Sequence, residues 1–600
     1  MPISSARSTA YRILCRVESS GALAVDLLQN EQVSSLQEVD RGLATELVMG
    51  VLRWRGELDF KIEMLSGKRL RVFDPEIVTV LRLALYQIGF LERIPVSAAV
   101  NEAVEMVKAA RKRSAAGLVN AVLRKAGRVG QRPSRRGAQE ESGLGTRDSG
   151  LAEQPEFGIR GSGLAEGETR NSKLETRLDS KVESRRGASG EAVPTPVSSR
   201  VSSFALSAPR IPNPEPRIPL LEGACRATPN WLLDRWTRHF GSDAAKGLAL
   251  ASVSVPPTVL RVTGGEPSLE AIGRELGGEG IVVHRTRFAR DALMVVSGRV
   301  QASRAWREGR VVIQDEASQL VATLLRVEPG QRVLDVAAAP GIKTAQLAAM
   351  LGGRASGHCG LPIGDCRSER ESGVGEEEDS ATSADPLPSP ASSVSWLPRP
   401  ASSDSRLPTP DSRFNQHSAI GNGWLVACDV SARRLADLRR LLPRQVPPGV
   451  NLSLVRLDAT RPLPFLSRFE RILLDAPCSG TGTLARNPEI KWRLRLDDLA
   501  RLAERQRAML RRALKVLAPG GRVVYATCSL EPEENERVVE AVVRETTGIR
   551  ALSRDEVLLD VPNVAGLIDE DGYFRTRPDL HAMDGFFGAV LENCRLTIAD

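Results

Sequence analysis

The 600-residue chain is expected to fold as an α/β protein, a Rossmann-like, doubly wound parallel sheet preceded by an all-α segment and a small α+β segment. Three observations predict this. Arg471-Ile-Leu-Leu-Asp475 and Arg522-Val-Val-Tyr-Ala526 are apolar runs of the length buried strands have, and each runs into a cysteine-bearing motif. Gln331-Arg-Val-Leu-Asp-Val-Ala-Ala-Ala-Pro-Gly-Ile-Lys-Thr344 reads as a strand, a loop of small residues and then a helix over Ala345 to Leu351. Between Arg7 and about Lys125 the apolar residues instead recur at helical spacing, with Leu81, Leu85 and Ile88 on one face and Val100, Val104 and Val107 on another.

From the amino terminus, residues 1–127 are thus a helical domain. Its cluster Lys108, Arg111, Lys112, Arg113 and Arg124 is the candidate surface for phosphate groups. Residues 128–218 are rich in Gly, Ser, Arg and Glu and nearly free of aromatics, and repeat Ser-Gly-Leu-Ala-Glu at Ser149 and Ser162. Such a stretch is expected to be a disordered linker, because it buries too little apolar surface to offset its ordering entropy. Residues 219–300 form the α+β subdomain: Pro229-Asn-Trp-Leu-Leu-Asp-Arg-Trp236 opens a helix, and Pro257–Val262, Gly280–His284 and Ala292–Val296 read as strands. Arg261 is the candidate there for contact with an anionic partner, or else an exposed arginine at a strand end. Residues 301–600 carry the sheet and a second low-complexity insert, 353–422, with Leu-Pro-x-Pro beginning at Leu387, Leu397 and Leu407. His358, Cys359 and Cys366 fall in this insert at a spacing that matches no zinc pattern and without a fourth ligand, so no metal site is expected.

Composition sets the frame. A net charge of +8 with a pI near 9.2 favours an anionic partner. No apolar run reaches membrane-spanning length, and Met1-Pro-Ile-Ser-Ser-Ala-Arg lacks a secretory core, so a cytoplasmic location is expected. The eight cysteines are scattered and read as free thiols.

Strand ends carry the chemistry, since ligands of open α/β sheets bind beyond the carboxyl ends of the strands. The loop Ala337, Ala338, Ala339, Pro340, Gly341, Ile342 and Lys343 lets backbone approach a nucleotide-like cofactor, with a helix N-terminus beyond it. Asp429 ends the strand Gly423–Asp429 and is suited to accept ribose hydroxyls, ahead of a helix over Ser431–Leu442. Asp458 follows the strand Leu452–Arg456, and Asp475 ends the strand before the Pro-Cys motif. Cys478 and Cys528, at the ends of two strands, point to covalent chemistry.

Together, Asp475-Ala-Pro-Cys-Ser-Gly-Thr-Gly, Asn487-Pro-Glu-Ile-Lys-Trp492, Thr527-Cys-Ser-Leu-Glu-Pro-Glu-Glu-Asn535 and Asp584-Gly-Phe-Phe587 resemble the Sun (RsmB-like) family of ribosomal RNA cytosine-5 methyltransferases. Asp40-Arg-Gly-Leu-Ala-Thr-Glu46 and Val119-Asn-Ala-Val-Leu-Arg124 resemble its NusB-like RNA-binding domain. The resemblance spans about 1–127 and about 219 to the end, apart from the insert. It implies S-adenosyl-L-methionine as cofactor, a cytosine of small-subunit ribosomal RNA flipped into the site as substrate, and a monomeric enzyme. It implies Cys528 as nucleophile, Cys478 in product release, Asp475 at the base or cofactor, Asp458 near the adenine, and Lys343 near cofactor or base. The loop departs from the family at Ala337, usually cysteine, and at Ile342, usually glycine. Isoleucine resists positive φ, so the loop must take a conformation open to it.

Two other readings stay open. A DNA cytosine-5 methyltransferase would use Cys478 as nucleophile, and the Thr-Cys-Ser motif and helical domain count against it. A non-catalytic RNA-binding factor would not need both cysteines and three aspartates. The Asn-Pro-Pro-aromatic motif of amino-methylating enzymes is absent.

Overall fold

Helices Ser5–Ser20, Glu38–Arg53, Arg55–Ser66, Pro75–Phe90, Val96–Ala109 and Ala116–Val129 build the amino-terminal domain. Pro75–Phe90 is its centre: proline at the start fits a position whose N–H has no helical partner, and the helix is buried all round from Ile77 to Ile88. Arg82, the buried charge on that helix, is satisfied by Asp59 at 2.6 Å. The computed structural model describes residues 3–29, 31–129, 220–263, 269–353, 423–442 and 445–595. The low-complexity expectations from 130 to 218 and from 354 to 422, with His358, Cys359 and Cys366, lie outside the described residues.

Four antiparallel strands follow in the order β2-β3-β1-β4, namely β1 (Thr258–Val262), β2 (Val282–Arg285), β3 (Ala292–Ser297) and β4 (Val311–Ile313). Ile272 and Leu276, four apart on the helix Leu269–Gly278, seal this sheet against Leu260 and Leu293. Arg261 corrects the expectation for this segment. It lies inside β1, 5% exposed, donates to Gln314 Oε1 at 2.7 Å and reaches the Ile342 carbonyl at 3.5 Å. It is therefore neither an exposed strand end nor placed to meet RNA. Burial lowers its guanidinium to about 10.

The large sheet runs β10-β12-β9-β8-β5-β6-β7, with β5 (Arg332–Asp335), β6 (Trp424–Asp429), β7 (Asn451–Arg456), β8 (Phe469–Asp475), β9 (Leu517–Thr527), β10 (Ile549–Ala551), β11 (Phe574–Arg575) paired to β12, and β12 (Phe587–Asn593). Strands β5 to β9 are mutually parallel, as expected, whereas β12 joins β9 antiparallel and makes the sheet mixed. Successive residues of β8 face opposite layers: Leu473 packs with Leu347 and Val524, while Ile472 and Leu474 pack with Leu510 and Tyr525. Both faces are covered, which explains the unbroken apolar run.

Strand bounds differ from the sequence expectation by a residue or two at most ends, and β9 by five at its start. One helix start matters more. The helix after β5 begins at Ile342, not Ala345, because the left-handed residue is Gly341 with φ 105°. Ile342 is thereby an ordinary first helical residue, and its replacement of glycine costs the loop nothing in backbone strain.

Candidate active site

Strands β5, β6 and β8 each end in an aspartate, and a fourth follows β7, so Asp335, Asp429, Asp475 and Asp458 gather at one edge of the sheet. Asp429 is buried, and its Oδ1 accepts from the Ser431 amide at 2.7 Å and from Arg434 at 3.1 Å. Asp458, half-buried, accepts from the Thr460 hydroxyl at 2.7 Å and its amide at 3.0 Å, bonds that hold its carboxyl below the usual range. Asp335 is a site residue that the sequence reading misses. It is 1% exposed, accepts from Thr344 at 2.7 Å, and burial first, opposed by that bond, pushes its carboxyl up to about 7. Its place at a strand end, like that of Asp429, was the available signal.

The loop Ala337 to Gly341 connects β5 to its helix, anchored by the Ala338 amide on the Cys428 carbonyl at 2.8 Å. A side chain at Gly341 would meet Leu438 at 2.3 Å and sit at positive φ, so glycine is required there. Lys343, on the first turn of the helix, is largely buried. Its Nζ donates to Asp475 Oδ2 at 2.7 Å and lies 5.0 Å from the ring centre of Phe586. Burial works most strongly against its charge, but Asp475, Cys528 and Asp335 together outweigh this and raise the ammonium.

The two cysteines are brought together as expected. Asp475 pairs with Ala526 in register across β8 and β9, and the loops beyond place Cys478 Sγ and Cys528 Sγ 3.2 Å apart. The Gly482 amide donates to the Cys528 carbonyl at 2.9 Å, locking one loop to the other. A Cβ at Gly482 would lie 2.0 Å from the Gly585 carbonyl, so the Asp584-Gly-Phe-Phe587 motif packs backbone to backbone on the Pro-Cys loop. Arg486, which sequence reasoning likewise misses, ties this corner together by binding Asp584 at 2.8 Å, Asp315 at 2.8 Å and the Pro257 carbonyl at 3.1 Å.

Asn487–Trp492 has a role that its sequence did not reveal. Glu489 accepts from the Ala24 amide at 2.9 Å, and Lys491, 1% exposed, donates to the Arg53 carbonyl at 3.0 Å and the Ser252 hydroxyl at 3.3 Å. Arg493 donates to the carbonyls of Val17, Gly21 and Ala22, each at 2.8 Å. The motif therefore docks the helical domain onto the cysteine loop. Burial, then the charge of Arg53, pushes the Lys491 ammonium down to about 7 from an ordinary 10.5. Between those values the unfolded chain binds a proton that the folded chain does not, so Lys491 makes stability rise with pH. The unfolding free energy of the wild type, minus that of Lys491→Met, should increase above pH 7 by up to about 1.4 kcal/mol per pH unit in urea titrations. A difference that stays flat with pH contradicts this.

In the basic cluster of the helical domain, Lys108 pairs with Glu105 and Lys112 with Asp74, each at 2.7 Å. Arg111, Arg113 and Arg124 are exposed and have no carboxylate partner among the described residues. No group of three or more His, Cys, Asp or Glu side chains able to hold a metal occurs among the described residues, and no described helix is long and apolar enough to cross a membrane.

Known proteins share this arrangement. Residues 4–128 match the NusB family, residues 228–301 the ferredoxin-like domain described as Methyltr_RsmF/B-like, and residues 418–592 the family described as 16S rRNA methyltransferase RsmB/F. A Bacillus subtilis (strain 168) protein named probable ribosomal RNA small subunit methyltransferase B is 25% identical over 594 residues, covering 98% of each chain. The Pseudomonas putida (strain KT2440) protein named ribosomal RNA small subunit methyltransferase B is 27% identical over 589 residues, again covering 98% of each. The crystal structure of PH0851 shares the fold, with a TM-score of 0.60 and 18% identity over 99% of both chains. Three family models match in chain order and relatives align over nearly their whole length, so the chain is similar along its described domains to 16S rRNA methyltransferases of the RsmB/F description, with an amino-terminal domain similar to NusB.

Proposed function

We propose that the protein transfers a methyl group from S-adenosyl-L-methionine to C5 of a cytosine in 16S ribosomal RNA, through a covalent bond between Cys528 and C6 of the base. The observation that carries this reading is the thiol pair, 3.2 Å apart beside the ion pair of Lys343 with Asp475. C5 of cytosine is not nucleophilic within the aromatic ring. Attack of the Cys528 thiolate on C6 makes C5 carbanion-like and able to take a methyl group; loss of the C5 proton and breaking of the S–C6 bond then restore the base. Cys478 serves the release step, and Asp475 holds either the N3/N4 edge of the cytosine or the cofactor. The base leaves its stack to reach the thiols.

The cofactor supplies the methyl as an electrophilic carbon on a sulfonium. The residues present fit it: a glycine-pinned loop of small residues at a helix start, with carboxylates at the neighbouring strand ends. Ala337 to Lys343 would hold its methionine part, Asp429 its ribose and Asp458 its adenine side. Asp429→Ala should weaken cofactor binding roughly tenfold or more, since one hydrogen bond to a charged group contributes about 1.5–3 kcal/mol. Unchanged affinity by calorimetry removes Asp429 from the site.

We assign residues 1–127 to RNA binding, with Lys108, Arg111, Lys112, Arg113 and Arg124 as phosphate contacts, residues 128–218 to a linker, residues 219–300 to a subdomain, and residues 301–600 to catalysis by a cytoplasmic monomer. Bisulfite mapping of 16S ribosomal RNA from cells with and without the gene tests the activity. One protected cytosine should disappear with the gene. An unchanged pattern overturns the reading.

A further inference from the structure

Glu534 is fully buried and forms no ion pair with a lysine or arginine among the described residues. Everything its carboxylate binds donates to it: the Ser479 amide at 2.8 Å, Gln506 Nε2 at 2.9 Å, the Ser529 hydroxyl at 2.6 Å and the Ser479 hydroxyl. An acceptor-only role toward four donors is that of an ionised carboxylate. Two of those donors are placed with purpose. Ser479 follows Cys478 and Ser529 follows Cys528, so one carboxylate grips both cysteine loops, and Gln506 extends the grip to the Pro477 carbonyl at 3.0 Å.

The charges around the thiols are also unequal. Glu534 takes two of its bonds from Ser479, next to Cys478, and one from Ser529, next to Cys528. The hydrogen bond to Cys528, burial, and then the charges of Cys528 and Glu534 all push the Cys478 thiol up. The Lys343 ammonium, held by Asp475 at 2.7 Å, stands on the other side and is raised in part by the charge of Cys528. Asp475 and Asp335 face Lys343, and Tyr525 senses Cys478 and Glu534.

We propose that Glu534 is a positioning residue that clasps the two cysteine loops and keeps the proton of the thiol pair on Cys478, leaving Cys528 free to attack. The proposal rests on Cys528 being the nucleophile. It assigns the unlike roles of two cysteines, in like positions, to a charge that touches neither sulfur.

Alkylation of the full-length protein by iodoacetamide over a pH series, followed by mass spectrometry of the two cysteine peptides, tests it. In the wild type Cys528 should react first. Glu534→Gln keeps the shape and removes the charge, so the midpoint for Cys478 should fall by about one pH unit. Ser529→Ala removes one donor from the carboxylate and leaves its charge less neutralised, so the same midpoint should rise. A Cys478 midpoint unmoved in Glu534→Gln overturns the role of Glu534. If that variant does not fold by circular dichroism, Ser529→Ala decides, and an unmoved or lowered midpoint overturns the proposal. Cys478 reacting first in the wild type instead overturns the choice of nucleophile beneath it.

Discussion

Cys528→Ala is expected to lose all methyl transfer and to form no covalent RNA adduct, because alanine supplies no nucleophile for C6. Cys478→Ala should behave in the opposite way. It keeps the thiol that attacks, but loses the one that serves release, so a protein–RNA species stable to denaturing gels should accumulate while turnover falls. The two sulfurs are 3.2 Å apart, and both replacements keep the bonds that tie the loops together, from the Gly482 amide to the Cys528 carbonyl and from Ser479 and Ser529 to Glu534, so opposite outcomes would report roles and not damage. An adduct trapped in Cys528→Ala and absent from Cys478→Ala would reverse the assignment and favour the mechanism in which Cys478 attacks.

Arg486→Ala is expected to cost about 3–5 kcal/mol of stability, the range found when one partner of a buried ion pair is removed. Its guanidinium binds Asp315 and Asp584, whose side chains are 5% and 9% exposed, and no other cation pairs with either among the described residues. Burial first, then Asp315, already raises the Asp584 carboxyl to about 7, against the pull of Arg486. Without Arg486 that carboxyl rises further above its unfolded value. The stability of the variant should therefore fall as pH rises through neutrality, and the deficit should shrink in mild acid. Urea unfolding at two pH values measures both. A deficit under about 1 kcal/mol at neutral pH, typical of an exposed pair, contradicts the role given to Arg486.

What the sequence disclosed, and what it withheld, divides along physical lines. Apolar runs ending in Asp475 and Ala526 betray parallel strands locally, and parallel neighbours in register bring Cys478 and Cys528 together without further information. Asp429 and Asp458 are legible for the same reason. Arg486, Glu534 and Lys491 are not, because each acts on partners far away in the chain: Asp315, Ser479 and Arg53 respectively. Periodicity carries no record of such pairings. Arg261 misleads because an arginine near a strand end is usually solvated, whereas here Gln314 and the Ile342 carbonyl receive it in the interior. Ile342 looks strained only while the left-handed position is assigned to it, and Gly341 takes that conformation one residue earlier.

The central claim, attack by Cys528 on C6, has a direct test. Fluorine at C5 of cytidine cannot be lost as a proton is, so the methylated adduct cannot resolve and the attacking cysteine stays bonded to the base. The wild-type protein should be incubated with S-adenosyl-L-methionine and 16S ribosomal RNA containing 5-fluorocytidine, then digested and its peptides weighed. The expected result is one modified peptide carrying the nucleotide on Cys528. A nucleotide on Cys478, or a product with no covalent adduct, would contradict the account.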